Sequence, residues 1–283
     1  MFRNLFPLVK GNKKQSPPVT GFMTDMTYKE IEQSAIGGAA VLFPISAIEE
    51  YGPHLPVATN TYLTNHLCLK LREYLWQREK HCVIAPPLFW GKNYSTGSFP
   101  GSFNLKSQTM VNLLLDILSD LLRWGFGSVI LVSIHGDPHH NNSIIQAVRQ
   151  ARNDRANVFF LVPNQSLSQY NLAEAENFVI AYNMPAFTSP SLYVDLHAGT
   201  FETSWMSAVF PEHVNTELAK HLQSTQTTLD EAVVWSKGWD EVKKAFPLGY
   251  CGNPSRIEIK KAKEFELKLV EQMSGAILLK GCL

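Results

Sequence analysis

Apolar residues fall into two patterns along this chain, short continuous runs and stripes at helical spacing. The runs Val41–Ile45, Cys82–Ala85, Val129–Ile134 and Val158–Val162 read as strands, because a strand covered on both faces is apolar at nearly every position. Between them the period changes. Thr27, with Glu30 three residues on, forms a capping box, and the helix it opens should stop at Gly37-Gly38. Leu63, Leu67, Leu71 and Leu75 predict a helix over Thr61–Glu79. Met110–Trp124 carries Leu and Ile at helical spacing before Gly125 and Gly127, and a further helix is expected over Ser143–Arg152. Strand, loop and helix in repeated order predict an α/β fold with a mostly parallel central sheet.

The 283 residues suit one large domain or two small ones, and are enough to bury a sizeable core. We read residues 21–283 as a domain and residues 1–20 as a flexible N-terminal arm, basic with a few large apolar residues and closing on Pro17-Pro18. Lys and Arg balance Asp and Glu at 25 each, so charge gives no case for nucleic acid or an anionic membrane. Cys68, Cys82, Cys251 and Cys282 are scattered without a CxxC pair. With no evident signal peptide, that predicts free thiols and a cytoplasmic setting. The longest apolar runs fall far short of a membrane span.

Candidate chemistry gathers in three stretches. After the Val41 run come Glu49, Glu50, Tyr51, a Gly-Pro turn, His54 and then Asn60. The Val129 run leads into His135, Gly136, Asp137, Pro138, His139 and His140. A brief apolar segment from Tyr193, read as a third strand, delivers Asp195 and His197, with Glu202 at the start of a helix. A lone histidine is usually structural, and an acidic pair is usually a solvated loop. Imidazoles and carboxylates converging at the carboxyl edge of a sheet are what a zinc- or manganese-type site requires. His66, inside a predicted helix, reads as a partly exposed helix residue.

The three stretches resemble the creatininase (creatinine amidohydrolase) family. Its Glu-Gln-His-Gly-Pro-His-Leu-Pro pattern stands here as Glu49-Glu50-Tyr51-Gly52-Pro53-His54-Leu55-Pro56, followed by Thr59-Asn60. Phe99-Pro100-Gly101-Ser102 resembles a Phe-Pro-Gly-Thr element, and His197 to Ser204 matches His-Ala-Gly-x-x-Glu-Thr-Ser throughout. Gly249 to Pro254 is similar to a Gly-x-x-Gly-Asp-Pro turn. The resemblance implies a three-layer α/β/α sandwich, often a homohexamer, with a two-metal site that hydrolyses a C–N bond.

Carried over by position, Glu49 and His135 are metal ligands, and Asp137 stands for a metal-binding glutamate. Asn60 takes the place of the bridging aspartate, and Tyr51 that of a metal-binding histidine. Thr96 stands where many relatives carry a histidine. His197 is the proton shuttle, with Glu202 beside it; Tyr51, His54 and Ser102 are assigned to substrate. These departures predict one divalent ion (zinc, manganese or iron) rather than two, held by Glu49, His135 and Asp137 with His139 or His140 from an inserted loop. The expected activity is a divergent metal-dependent amidohydrolase, or its ring-closing counterpart, acting on a small amide, lactam or formamide. The alternative is a catalytically silent binding or partner subunit with a degraded metal site. Expected partners are a small-molecule substrate and copies of the same chain, with neither nucleic acid nor membrane. Specificity is expected in loops 89–103 and 163–191.

Overall fold

The apolar runs form strands β1 (Ala40–Pro44), β2 (Cys82–Ile84), β3 (Val129–Val132) and β4 (Val158–Pro163), joined by a fifth, β5 (Val179–Tyr182). This computed structural model describes residues 21–152, 157–173, 176–187 and 192–283; the arm expected over residues 1–20 lies outside them. All strand pairs are parallel, in the order β2-β1-β3-β4-β5. Register follows the pleat, with Val41 opposite Val129 and Phe43 opposite Leu131.

Side chains alternate between two cores. Leu42, Ile130, Val132 and Leu161 face one layer, while Val41, Phe43, Leu131 and Phe160 face the other. The first layer holds α2 (Thr59–Trp76), α5 (Thr200–Val209) and α10 (Ile259–Lys280). The second holds α1 (Tyr28–Ile36), α3 (Ser107–Arg123) and α4 (Pro138–Arg152). The predicted leucine stripe is the buried face of α2: Leu63, Leu67, Leu71 and Leu75 are all essentially inaccessible. Each such side chain contributes about 1.5–3 kcal/mol through removal from water. The capping box at Thr27 and Glu30 is present. Short helices α6 (Thr216–His221), α7 (Leu229–Ala232), α8 (Val234–Lys237) and α9 (Trp239–Ala245) lie between α5 and α10.

Three sequence expectations are corrected. The segment from Tyr193 to His197 is not a strand of the sheet; His197 makes only an isolated antiparallel bridge with Cys251. The fifth strand lies inside the stretch read as a loop, 163–191, where its apolar run is too short to stand out. Helix α4 opens at Pro138, so His139 and His140 occupy its first turn rather than an inserted loop. All four cysteines are buried and free.

From β1 the chain steps outward to β2, then crosses to the other side of β1 to form β3. The β1–β3 boundary is therefore a topological switch point, where loops leave adjacent strand ends in opposite directions and open a crevice.

Candidate active site

The crevice is a cavity of about 450 Å³ lined by Glu49, Tyr51, Thr96, His135, His197 and Glu202 at its polar side. Leu196, Leu229, Val233 and Trp235 line it elsewhere. At the floor, Glu49 is buried and fully hydrogen-bonded. Its Oε1 accepts from Asn60 Nδ2 at 2.8 Å and faces His135 Nδ1 at 3.0 Å; its Oε2 accepts from Thr96 Oγ1 at 2.8 Å. Tyr51 OH donates to Asn60 Oδ1 at 2.7 Å, and His135 Nε2 donates to the Lys92 carbonyl at 2.8 Å.

Burial pushes the Glu49 carboxyl up, but His135 beside it wins and brings it to about 2. Burial opposes charge on His135, and the contacts with Glu49 outweigh it, raising its pKa. The pair is an internal salt bridge. Tyr51 is held well above its ordinary range, by burial first and then by Glu49, so its phenol stays protonated.

A second group sits across the cavity. His197 Nε2 donates to the Glu50 carbonyl at 2.9 Å and lies 3.4 Å from Glu50 Oε1. Its ring packs against Tyr51 at 4.4 Å. Burial would lower the His197 pKa, yet Glu50, Glu49 and Glu202 raise it to about 10. Glu202 moves up to about 7 because it is buried and Asp195 is near. Its Oε2 is buried and has no hydrogen-bond partner among the described residues.

The segment carrying these two residues is set by Asp195. Its Oδ1 accepts from Thr200 N at 2.7 Å and its Oδ2 from Phe201 N at 2.8 Å, closing the open amino end of α5. A Cβ on Gly199 or Gly252 would collide with Asp195 Oδ1, so both positions need glycine. This explains why the His-Ala-Gly and Gly-x-x-Gly elements occur together: they are two walls of one carboxylate seat.

The family model for creatininase, described as creatinine amidohydrolase, matches residues 24–277. The chain belongs to the creatininase family. A creatininase crystal structure superposes with a TM-score of 0.68 at 19% identity, covering 92% of this chain and 97% of that one. The 3-dehydro-scyllo-inosose hydrolase of Thermotoga maritima is 23% identical over 265 residues, 87% of this chain and 79% of the relative. The creatinine amidohydrolase of Pseudomonas putida is 25% identical over 206 residues, 69% of this chain and 74% of the relative. Both relatives are hydrolases by name, and solved creatininase structures include manganese and zinc–zinc forms.

The residues of this creatininase-family chain do not fit a pair of ions. Asp137 is not turned to a ligand: its Oδ2 accepts from Tyr94 N at 2.6 Å, and its Oδ1 from His139 N at 2.7 Å and His140 N at 3.2 Å. It caps α4. His139 stacks on Tyr94 at 4.5 Å. His140 accepts from Lys92 N through Nδ1 at 3.3 Å, which leaves Nε2 carrying the proton, and that atom has no partner among the described residues. The expected ligand set of Glu49, His135, Asp137 and an added histidine is therefore not assembled. Among the described residues, no three His, Cys, Asp or Glu side chains are grouped to hold a metal ion.

Two substrate assignments also change. His54 is a buried bolt whose Nε2 meets Thr203 Oγ1 at 2.7 Å, and Ser102 Oγ accepts from Glu50 N at 3.0 Å; neither lines the cavity. Tyr51 does line it. Trp235, Leu229 and Val233 were not foreseen, since nothing in their local sequence marks two short helices as a cavity wall.

Proposed function

We propose that this protein is a hydrolase of a small C–N carbonyl compound, an amide or lactam, driven by proton transfer between Glu202 and His197. The observation that carries the reading is Glu202: a buried, unpartnered carboxylate oxygen on a cavity that also exposes a cationic imidazole. Its relatives' hydrolase activities support the reaction class.

At neutral pH a carboxyl with a pKa of about 7 is partly ionised and can act as base. Glu202 takes a proton from water as the hydroxide oxygen adds to the carbonyl carbon. His197, its Nε2 proton fixed on the Glu50 carbonyl, gives its Nδ1 proton to the leaving nitrogen as the C–N bond breaks. Carboxylic acid and amine result, and the proton on Glu202 returns to His197. Family ions would polarise the carbonyl and lower the pKa of a bound water; no step here passes through them, because this chain's donors are engaged with one another. The reading carries with it a small-molecule substrate and, by family resemblance, a homohexamer.

A second reading, a silent family member that binds without turnover, is favoured by the closed network around Glu49. The two separate in a release assay. Protein, both chelator-treated and supplied with Zn²⁺ or Mn²⁺, is incubated with small lactams, cyclic ureas and N-acyl amides, and freed amine or ammonia is measured. Turnover that His197→Gln and Glu202→Gln both lose supports the hydrolase; folded wild type inert across the series supports the silent member.

A further inference from the structure

We propose that Tyr51, Asn60 and Thr96 take over the structural role of the family's divalent ions, making this site metal-independent. An ionised carboxylate only accepts hydrogen bonds, so the Asn60 amide has one permitted orientation against Glu49. Its NH2 faces Glu49 Oε1 at 2.8 Å, and its carbonyl receives the Tyr51 hydroxyl at 2.7 Å. An NH2 group has no lone pair to offer a cation. Thr96 fills the remaining Glu49 oxygen at 2.8 Å, and His135 supplies the countercharge at 3.0 Å. Both oxygens of Glu49, both ring nitrogens of His135 and the amide of Asn60 already have protein partners.

The exchange is chemically coherent. A histidine at position 51 and an aspartate at position 60 would place a second carboxylate about 3 Å from Glu49, as Asn60 now is, and two like charges at that distance require a cation between them. A neutral amide at 60 removes the requirement, and a phenol at 51 satisfies the amide. The two substitutions therefore make sense as a pair, each leaving the other unsatisfied alone. Asp137, capping α4 and holding Tyr94 N, has both oxygens committed to backbone, which independently takes it out of a ligand set.

The test reads metal and unfolding, not turnover, so it stands apart from the hydrolase assay. Full-length protein is stripped with EDTA and dialysed against Zn²⁺ or Mn²⁺, with bound metal and Tm recorded. Wild type should retain no stoichiometric metal, and its Tm should move by no more than about 1 °C. The Asn60→Asp, Tyr51→His double variant should lose Tm in EDTA and recover roughly 5 °C when metal is added in large excess over its Kd. Stoichiometric, specific metal on wild type would overturn the proposal. So would a folded double variant that takes up none. Should the variant not fold, the wild-type measurement decides alone.

Discussion

Two buried groups with opposed environments make the site at residue scale. Glu202 is raised to about 7 by burial and by Asp195, while His197 is raised to about 10 because three carboxylates outweigh its burial. A base must be deprotonated and an acid protonated. On the hydrolase reading, kcat/KM should rise as pH passes about 7 and fall as it passes about 10, a broad bell measurable from a pH profile. The residual activity of Glu202→Gln should lack the acid limb, and a limb that survives in it would assign the base elsewhere. Sequence made both residues legible, because they lie in an uninterrupted motif. It did not show what faces Asp137, because a carboxylate that ligates a metal and one that caps a helix are the same residue type.

At the scale of elements, Asp137 holds two pieces of chain. It closes the first turn of α4 and pins the 89–103 loop through Tyr94 N. Asp137→Ala should lower unfolding free energy by about 1–3 kcal/mol, the sum of a lost cap and a lost charge-assisted bond. Urea titration checks this, and the effect should be the same with and without added divalent metal. A loss that appears only in metal would restore Asp137 as a ligand. The reading of His139 and His140 as a loop failed for the same reason: Asp137-Pro138 is a helix start, a cap followed by proline at the first position.

On the scale of the whole molecule, buried ionisable groups tie stability to pH. His54 is lowered to about 4, by burial first and then by His197, against an ordinary value of 6.5. The unfolded chain therefore binds the extra proton between those values. Stability contributed by neutral His54 is full above pH 6.5 and is lost as pH falls toward 4, by up to about 3 kcal/mol. Glu49, lowered to about 2 from 4.5, adds a further loss below pH 4.5. Glu202, raised to about 7 from 4.5, works the other way, because the fold favours its protonated form over nearly the same range. Urea midpoints should therefore change little from pH 7 to 4.5 and fall below it, and His54→Asn should make them rise as pH drops from 7 to 4.5. An equal slope in the variant would place the proton uptake at another group. No helix among the described residues is long and apolar enough to cross a membrane.

Sequence by itself determined the parallel α/β class, four of the five strands, the buried face of α2 and the family. These rest on local periodicity and on motifs whose spacing survives divergence. It also located the residues at the β1 and β3 ends, since a strand followed by ionisable groups is a local signal. The tertiary structure alone decided which polar atoms face each other. Whether Glu49 meets an ion or an amide, whether Asp137 meets an ion or the backbone N–H of Tyr94, and whether His54 lines a cavity or bolts two elements depends on residues 11 to 149 positions away along the chain. Hydrogen bonds reach about 3 Å and are blind to sequence distance, so that assignment exists only once the chain has folded.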